Sequence, residues 1–182
     1  MRRSLTFLTA PLWERARRQA ERGRHAAAAS EYQVLCDLDP HDVRASLKLA
    51  HHLVAAGCHE RAAEEYLRAA VLYVGLDHPR RAMTVAMRAL RLAPDRVVSE
   101  RLAPLVAGLG PAAAELCEQV WRIHVLSGRR AQGRAVLGLL VRSEPESLPR
   151  RLRLAELELA EGRHAEAIAE LRLVADGLRG QG

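Results

Sequence analysis

The sequence predicts an all-α protein, a right-handed α-solenoid of about ten antiparallel helices. A ten-residue stretch that begins at Gly57 repeats the pattern of the stretch that begins 34 residues earlier at Gly23, with Gly, Ala and Tyr at identical offsets. The same spacing separates Gly128 from Gly162. A fixed period of this length is typical of stacked helix-turn-helix units. Prolines also close three apolar helical runs, at Pro40, Pro94 and Pro145.

The composition of the 182-residue chain shows no shift that would divide it, so we expect a single repeat domain over residues 10–178, irregular around 95–113. A basic lead at 1–9 should precede it and a frayed end at 179–182 should follow it. Hydrophobic residues make up 49% of the chain but aromatic residues only 3%. The core should therefore be built from Ala, Leu and Val, whose small size lets helix axes approach closely.

The first helix should begin near Pro11, because a proline in the first turn loses no hydrogen bond, and it should end at Gly23, a favourable C-cap. The second helix, at about 25–38, has apolar residues at spacings of three and four on one face. Asp42 can cap the third helix, at 43–56, by accepting hydrogen bonds from its first free N–H groups.

The period slips after the fourth helix, which begins at His59. Ala62 and Ala82 have the same relation to the repeat, yet they lie 20 residues apart instead of 34. We interpret the helix around 63–74 as the second helix of one unit and the first helix of the next. One helix is then missing from the regular alternation, and Pro79 opens the fifth helix.

The remaining helices are delimited by glycine and proline. Pro104 should bend or end an irregular sixth helix, because proline removes a backbone donor, and Gly110 begins a turn. Gly128 separates the seventh helix from the eighth. Gly162 separates the ninth from the tenth, which ends near Leu178.

Residues at matching positions of five units carry a resemblance to a known family. They are Ala16, Gly23, Ala28, Tyr32 and Pro40; Leu49, Ala50, Gly57, Ala62, Tyr66 and Ala69; Ala70, Tyr73, Ala82, Ala89 and Pro94; Gly128, Leu137 and Pro145; and Leu154, Ala155, Gly162 and Ala167. This pattern resembles the tetratricopeptide repeat, with Gly133 in the fourth unit where alanine is usual.

The resemblance implies a protein–protein interaction scaffold or adaptor, alone or within a larger assembly, that binds a peptide or helix of a partner protein in its concave groove. Carried over by position, the groove residues are Trp13, Arg17, Arg44, Leu47, His51, Val54, Glu118, Arg122 and Val125. Trp13 is the expected hot spot, whereas Trp121 should fill the core. With one Lys and no Asn, the chain lacks the residues with which chaperone adaptors of this family clamp a terminal carboxylate.

Two other readings are open. The net charge of +6 allows a basic helical-repeat protein that binds nucleic acid through phosphate contacts, although acids and bases alternate along nearly every helix. The near absence of Lys among 28 basic residues is also what codon bias in a GC-rich genome produces.

Alternatively, the terminal helices mediate self-association through an apolar stripe at Leu171, Val174 and Leu178.

We expect neither an enzyme nor a cofactor, because the sequence has no glycine-rich phosphate loop and no nucleophile elbow. A metal site is not expected either, since the adjacent His51 and His52 point about 100° apart on a helix. We expect them to be solvated or turn-capping histidines. Three widely spaced cysteines and the absence of a segment of about 20 apolar residues favour a cytoplasmic protein without membrane insertion.

Overall fold

The computed structural model describes residues 2–97, 99–109 and 111–180, which form ten α-helices and one 3-10 turn without any strand. The helices are α1 (Arg2–Glu21), α2 (His25–Leu38), α3 (Val43–Ala55), α4 (His59–Gly75), α5 (Pro79–Leu92), α6 (Ser99–Leu109), α7 (Pro111–Leu126), α8 (Arg130–Ser143), α9 (Leu148–Ala160) and α10 (His164–Arg179). The 3-10 turn is Pro94–Arg96. The predicted all-α class with about ten antiparallel helices is confirmed.

The chain divides into two compact units, Met1–Arg96 and Val97–Gly182. In the first unit, each helix from α1 to α5 packs against the next helix along the chain. In the second unit, α6 packs against both α7 and α8, and the remaining helices pack in chain order. The expected single repeat domain over residues 10–178 stays a prediction.

Five hairpins are closed by one type of tight turn. Its central residue has a positive φ: Gly23 (69°), Gly57 (78°), Asp77 (57°), Gly128 (73°) and Gly162 (73°). In each turn this residue donates its N–H to the carbonyl three positions earlier, and the next residue donates to the carbonyl five positions earlier. These two bonds satisfy carbonyls that the end of a helix leaves free, as in a Schellman motif.

The turn at Asp77 shows that α4 belongs to two hairpins. It joins α4 to α5 with the same hydrogen bonds by which the turn at Gly57 joins α3 to α4. Helix α4 is therefore the second helix of one hairpin and the first helix of the next. The interpretation of the slipped period is confirmed.

The buried hydrophobic residues of both units are mostly Ala, Leu and Val, as predicted. In the first unit Ala16, Ala28, Ala45 and Ala62 are fully buried in one cluster around Tyr32. Leu49 and Leu90 are also fully buried in this unit. In the second unit, five leucines are fully buried: Leu102, Leu105, Leu116, Leu137 and Leu140.

The prediction for Pro11 is wrong, and that for Pro104 is wrong in so far as the helix does not end there. Helix α1 begins at Arg2, includes residues 2–9 of the expected basic lead and has Pro11 in its interior. Pro104 lies inside α6 and does not end it. Both prolines are exposed, so each ring removes one backbone donor without displacing a core side chain, and the helix continues. The expected turn residue Gly110 and residues 181–182 of the expected frayed end lie outside the described residues.

Candidate protein-binding surface

The nine residues expected to line a groove fall into both units. Trp13, Arg17, Arg44, Leu47, His51 and Val54 belong to the first unit, and Glu118, Arg122 and Val125 belong to the second.

Trp13 and Arg44 meet at the surface of the first unit. The half-buried Trp13 ring packs edge-on against Tyr32, with 5.4 Å between ring centres, and the Arg44 guanidinium lies 5.2 Å from the centre of the Trp13 ring. Asp42 caps α3, where its Oδ1 accepts hydrogen bonds from the backbone N–H of Arg44 (2.8 Å) and Ala45 (3.2 Å). The predicted cap therefore fixes the start of the helix from which Arg44 reaches α1.

Leu47 and His51 continue from Arg44 along α3. The three residues are spaced by three and four positions, so they share one face of the helix. Leu47 is half-buried and His51 is exposed, whereas Val54 packs against the core cluster. Trp13, Arg44, Leu47 and His51 thus form a mixed aromatic, cationic and apolar surface, which we call the Trp13 face.

Arg17 is held by its own helix. Its guanidinium contacts Glu14 at 3.1 Å and Glu21 at 3.5 Å, and more than half of its side chain is exposed. Exposed pairs of this kind contribute little to stability. They nevertheless leave Arg17 less available to a partner's carboxylate than Arg44, which has no ion pair within the described residues.

A buried histidine lies beneath the Trp13 face. The His52 ring stacks on Tyr32, with ring centres 5.3 Å apart, and its Nδ1 lies 3.2 Å from Nδ1 of His25. The pKa of His52 is lowered from 6.5 to about 4, mainly by burial and in smaller part by the neighbouring His51, His25 and Lys48. The expectation of a solvated or turn-capping residue is wrong for His52, because Tyr32 provides an aromatic surface that covers it.

Helix α5 lines a cleft that was not predicted from the sequence. The cleft has a volume of about 330 Å³, and its lining residues come from α3, α4 and α5: Leu47, His51, Tyr66, Tyr73, Arg81, Thr84, Val85 and Arg88. A signal was present in the sequence, since α5 contains four arginines and no acidic residue.

In the second unit, Glu118 and Trp121 both contact Arg153. The Arg153 guanidinium donates to Glu118 at 2.9 Å and lies 5.3 Å from the centre of the Trp121 ring. Trp121 is half-buried, so the expectation that it fills the core is wrong: its ring lies between α7 and the arginine of α9. Arg122 is exposed.

Val125 explains why glycine replaces alanine at position 133. A Cβ added to Gly133 would lie 2.8 Å from Val125 Cγ2, too close for an ordinary contact. The half-buried Val125 is therefore packed against α8 rather than free to face a partner over its whole surface.

Both tryptophans of the chain have the same kind of partner. Trp13 on α1 lies beneath Arg44 of α3, and Trp121 on α7 lies beneath Arg153 of α9. In each case the first helix of one hairpin contacts the first helix of the next. An arginine over an aromatic face contributes about 0.5–1 kcal/mol at exposed sites.

Within the described residues, no group of three or more His, Cys, Asp or Glu side chains could hold a metal ion. None of the helices described is both long enough and apolar enough to cross a bilayer.

Comparisons with known proteins give only distant similarities. No protein-family model matches the chain, and no curated protein matches it. Among solved structures, it is similar to a crystal structure of MamA, with 14% identity, coverage of 91% of this chain and 95% of that chain, and a TM-score of 0.32. MamA 41-end from Desulfovibrio magneticus RS-1 is 15% identical, with coverage of 93% and 94% and a TM-score of 0.30. Similarity at this level supports no inference about function. The repeat architecture is inferred from the turns and the helix packing described above.

Proposed function

We propose that the chain is a tetratricopeptide-like scaffold or adaptor that binds a peptide or helix of a partner protein. The observation that carries this proposal is the Trp13–Arg44 contact, which holds an aromatic ring and a cation together at the surface. Tryptophan and arginine dominate interface energies. Because both side chains are already positioned, binding would lose little conformational entropy.

The Trp13 face combines two kinds of contact. Leu47 offers apolar surface to a partner's side chain, while Arg44 offers a guanidinium to a carboxylate beside it. Arg17 and Val54 extend the proposed binding surface in the first unit. In the second unit, the proposed counterpart of this surface consists of Glu118, Arg122 and Val125. We propose a non-enzymatic role in the cytoplasm, alone or within a larger assembly.

The experiment is affinity capture with the tagged full-length chain from a lysate of the source organism, with and without nuclease, at low and moderate salt. The test variant is Arg44→Ala/His51→Ala, and its matched control is Arg61→Ala/His41→Ala, which removes the same residue types from exposed positions off the proposed face. Circular dichroism should show that both variants fold.

We expect one or two proteins to survive nuclease and moderate salt with the wild type and the control, and to be lost with the test variant. The affinity of each captured protein, once purified, should fall about tenfold in the test variant. Equal affinity for both variants would contradict the assignment of the Trp13 face. Loss of all captured material with nuclease or salt would instead favour nucleic-acid binding.

Exposed apolar side chains on the last two helices support a second proposal, self-association. They are Leu152, Leu159, Ile168, Leu171, Leu173 and Leu178. Exposed apolar surface of this kind marks many interaction sites. Light scattering coupled to size exclusion should detect a dimer that Leu171→Glu/Leu178→Glu converts to a monomer; a wild-type monomer at high concentration would rule the proposal out.

A further inference from the structure

The shared helix α4 leaves a gap in the repeat. Helices α3 and α5 both pack against α4, but in the described residues they are not themselves a packed pair. In a regular array each hairpin has two helices of its own, whereas here two hairpins share one. The cleft of about 330 Å³ lies between α3 and α5, where that packing is absent.

The cleft has an apolar floor and a cationic rim. Leu47 and Val85 offer aliphatic surface from opposite sides, and Tyr73 offers an aromatic ring. Arg81 and Arg88 are exposed on α5, seven residues apart and therefore on one face of the helix. The Arg81 guanidinium lies 5.9 Å from the centre of the Tyr73 ring.

The positive charge of Arg81 and Arg88 is not balanced by acidic side chains in the lining of the cleft. None of its lining residues is acidic, and within the described part of the chain neither Arg81 nor Arg88 forms an ion pair. Arginines nearby on the same unit behave differently: Arg68 contacts Glu65 at 2.6 Å, and Arg96 contacts both Glu60 and Glu64. The two cleft arginines are thus free to bind carboxylates from another molecule.

We propose that this cleft is a docking site for a short acidic segment of a partner protein. One apolar side chain of the segment would insert between Leu47 and Val85, and flanking carboxylates would accept hydrogen bonds from Arg81 and Arg88. This inference rests on the proposed scaffold function and names the chemistry of the partner. Two cations beside an apolar floor suit a peptide better than nucleic acid, which needs a track of phosphate contacts along its backbone.

The test measures binding of fluorescein-labelled peptides to the full-length chain by anisotropy. The probe carries one Leu or Trp flanked on each side by Glu residues, and the control peptide has Gln in place of every Glu. An oligothymidylate of equal charge tests binding of a polyanion without apolar side chains. The test variant is Arg81→Gln/Arg88→Gln, and the matched control is Arg80→Gln/Arg91→Gln, which changes two exposed arginines of α5 that do not line the cleft.

We expect the acidic peptide to bind the wild type at least about tenfold more tightly than the Gln peptide or the oligothymidylate. The test variant should lose about tenfold in affinity, while the control stays within about twofold. Equal losses in both variants, tighter binding of the oligothymidylate, or no binding of the acidic peptide would each overturn the proposal.

A further variant separates this proposal from the proposed function. Arg44→Ala alters the Trp13 face but leaves all lining residues of the cleft unchanged. If Arg44→Ala weakens capture of the partner while Arg81→Gln/Arg88→Gln binds the acidic peptide like the wild type, the scaffold function stands and the cleft proposal fails. The reverse result would place binding in the cleft, which includes Leu47 and His51 of the Trp13 face, and would remove the Trp13–Arg44 pair from the binding surface.

Discussion

The Nδ1 atoms of His25 and His52 lie 3.2 Å apart, so one imidazole donates a hydrogen bond to the other across the α2–α3 contact. A neutral imidazole has one N–H donor and one acceptor nitrogen, and this bond requires one of each. Burial of the His52 ring in this contact disfavours its charged form.

We predict that the folded state loses stability as pH falls below 6.5. The folded-state pKa of His52 is lowered to about 4, so the unfolded chain binds a proton at this residue that the folded chain excludes. Stability is therefore fully present above pH 6.5 and declines between pH 6.5 and 4. The titratable groups around His52 are His51 and Lys48 on α3 and His25 and Tyr32 on α2. Thermal melts across this range should show a melting temperature lower by several degrees at pH 4.5.

The substitution His52→Phe keeps an aromatic ring packed against Tyr32 and removes the imidazole that titrates. Its melting temperature should vary less with pH than that of the wild type. His59→Phe, at an exposed position of α4, is the control and should retain the wild-type dependence. Identical pH profiles for His52→Phe and the wild type would show that another group is responsible.

Asp77→Gly should stabilise the chain by about 0.5 kcal/mol. Asp77 has a φ of 57°, in the left-handed region that glycine adopts without a Cβ penalty, and the other four turns of this type use glycine. Urea unfolding at constant pH gives the free energy of unfolding of each variant.

The reciprocal change tests the same turn geometry. Gly57→Ala meets no atom within 4 Å, so any loss of stability must come from the backbone, and we expect about 1 kcal/mol. If Gly57→Ala is neutral, the positive φ of this turn does not limit its residue choice.

Gly133→Ala should lower the free energy of unfolding by about 1 kcal/mol. Alanine in a helix interior is normally favoured over glycine by about 1 kcal/mol, but overpacking costs about 1–3 kcal/mol. Here the added Cβ would meet Val125 Cγ2 at 2.8 Å. In a Val125→Ala background the same substitution should instead stabilise the chain. Urea unfolding of both single variants and of the double variant gives the coupling free energy between positions 125 and 133. Additive effects would exclude the contact with Val125 as the cause of the loss.

Arg153→Ala should destabilise the second unit by about 1 kcal/mol, because it removes both the contact with Trp121 and the pair with Glu118. Arg153→Lys should keep part of this energy, since lysine retains the charge but lacks the planar guanidinium. Arg172→Ala, an exposed arginine of α10, is the control. A loss in Arg172→Ala equal to that in Arg153→Ala would attribute the effect to net charge.

The helical hairpins could be predicted because their turns are visible as glycines. Gly23, Gly57, Gly128 and Gly162 supply positive φ angles, and their spacing gives the period. The fifth turn could not be recognised from its central residue, because Asp77 is of a type common at exposed positions. Aspartate nevertheless tolerates the left-handed region better than most residues. Only the shortened spacing to Ala82 revealed the shared helix.

The proposed binding surface was less predictable, because its character depends on contacts between distant parts of the chain. Helical spacing alone places Arg44, Leu47 and His51 on one face. The sequence marks α5 as a basic helix, but which of its arginines line the cleft depends on how α3, α4 and α5 pack together. The burial of His52 depends on Tyr32, which lies in a different helix, so two adjacent histidines with similar sequence surroundings have opposite exposure.

Sharing α4 also determines where the polypeptide leaves the first unit. Consecutive helices joined by short connections run in opposite directions, so an array of complete hairpins returns the chain to the end at which it entered. The first unit has five helices because one of them serves twice. The start of α1 and the end of α5 therefore lie at opposite ends of the helices. Fusions at either side of this unit would project in opposite directions.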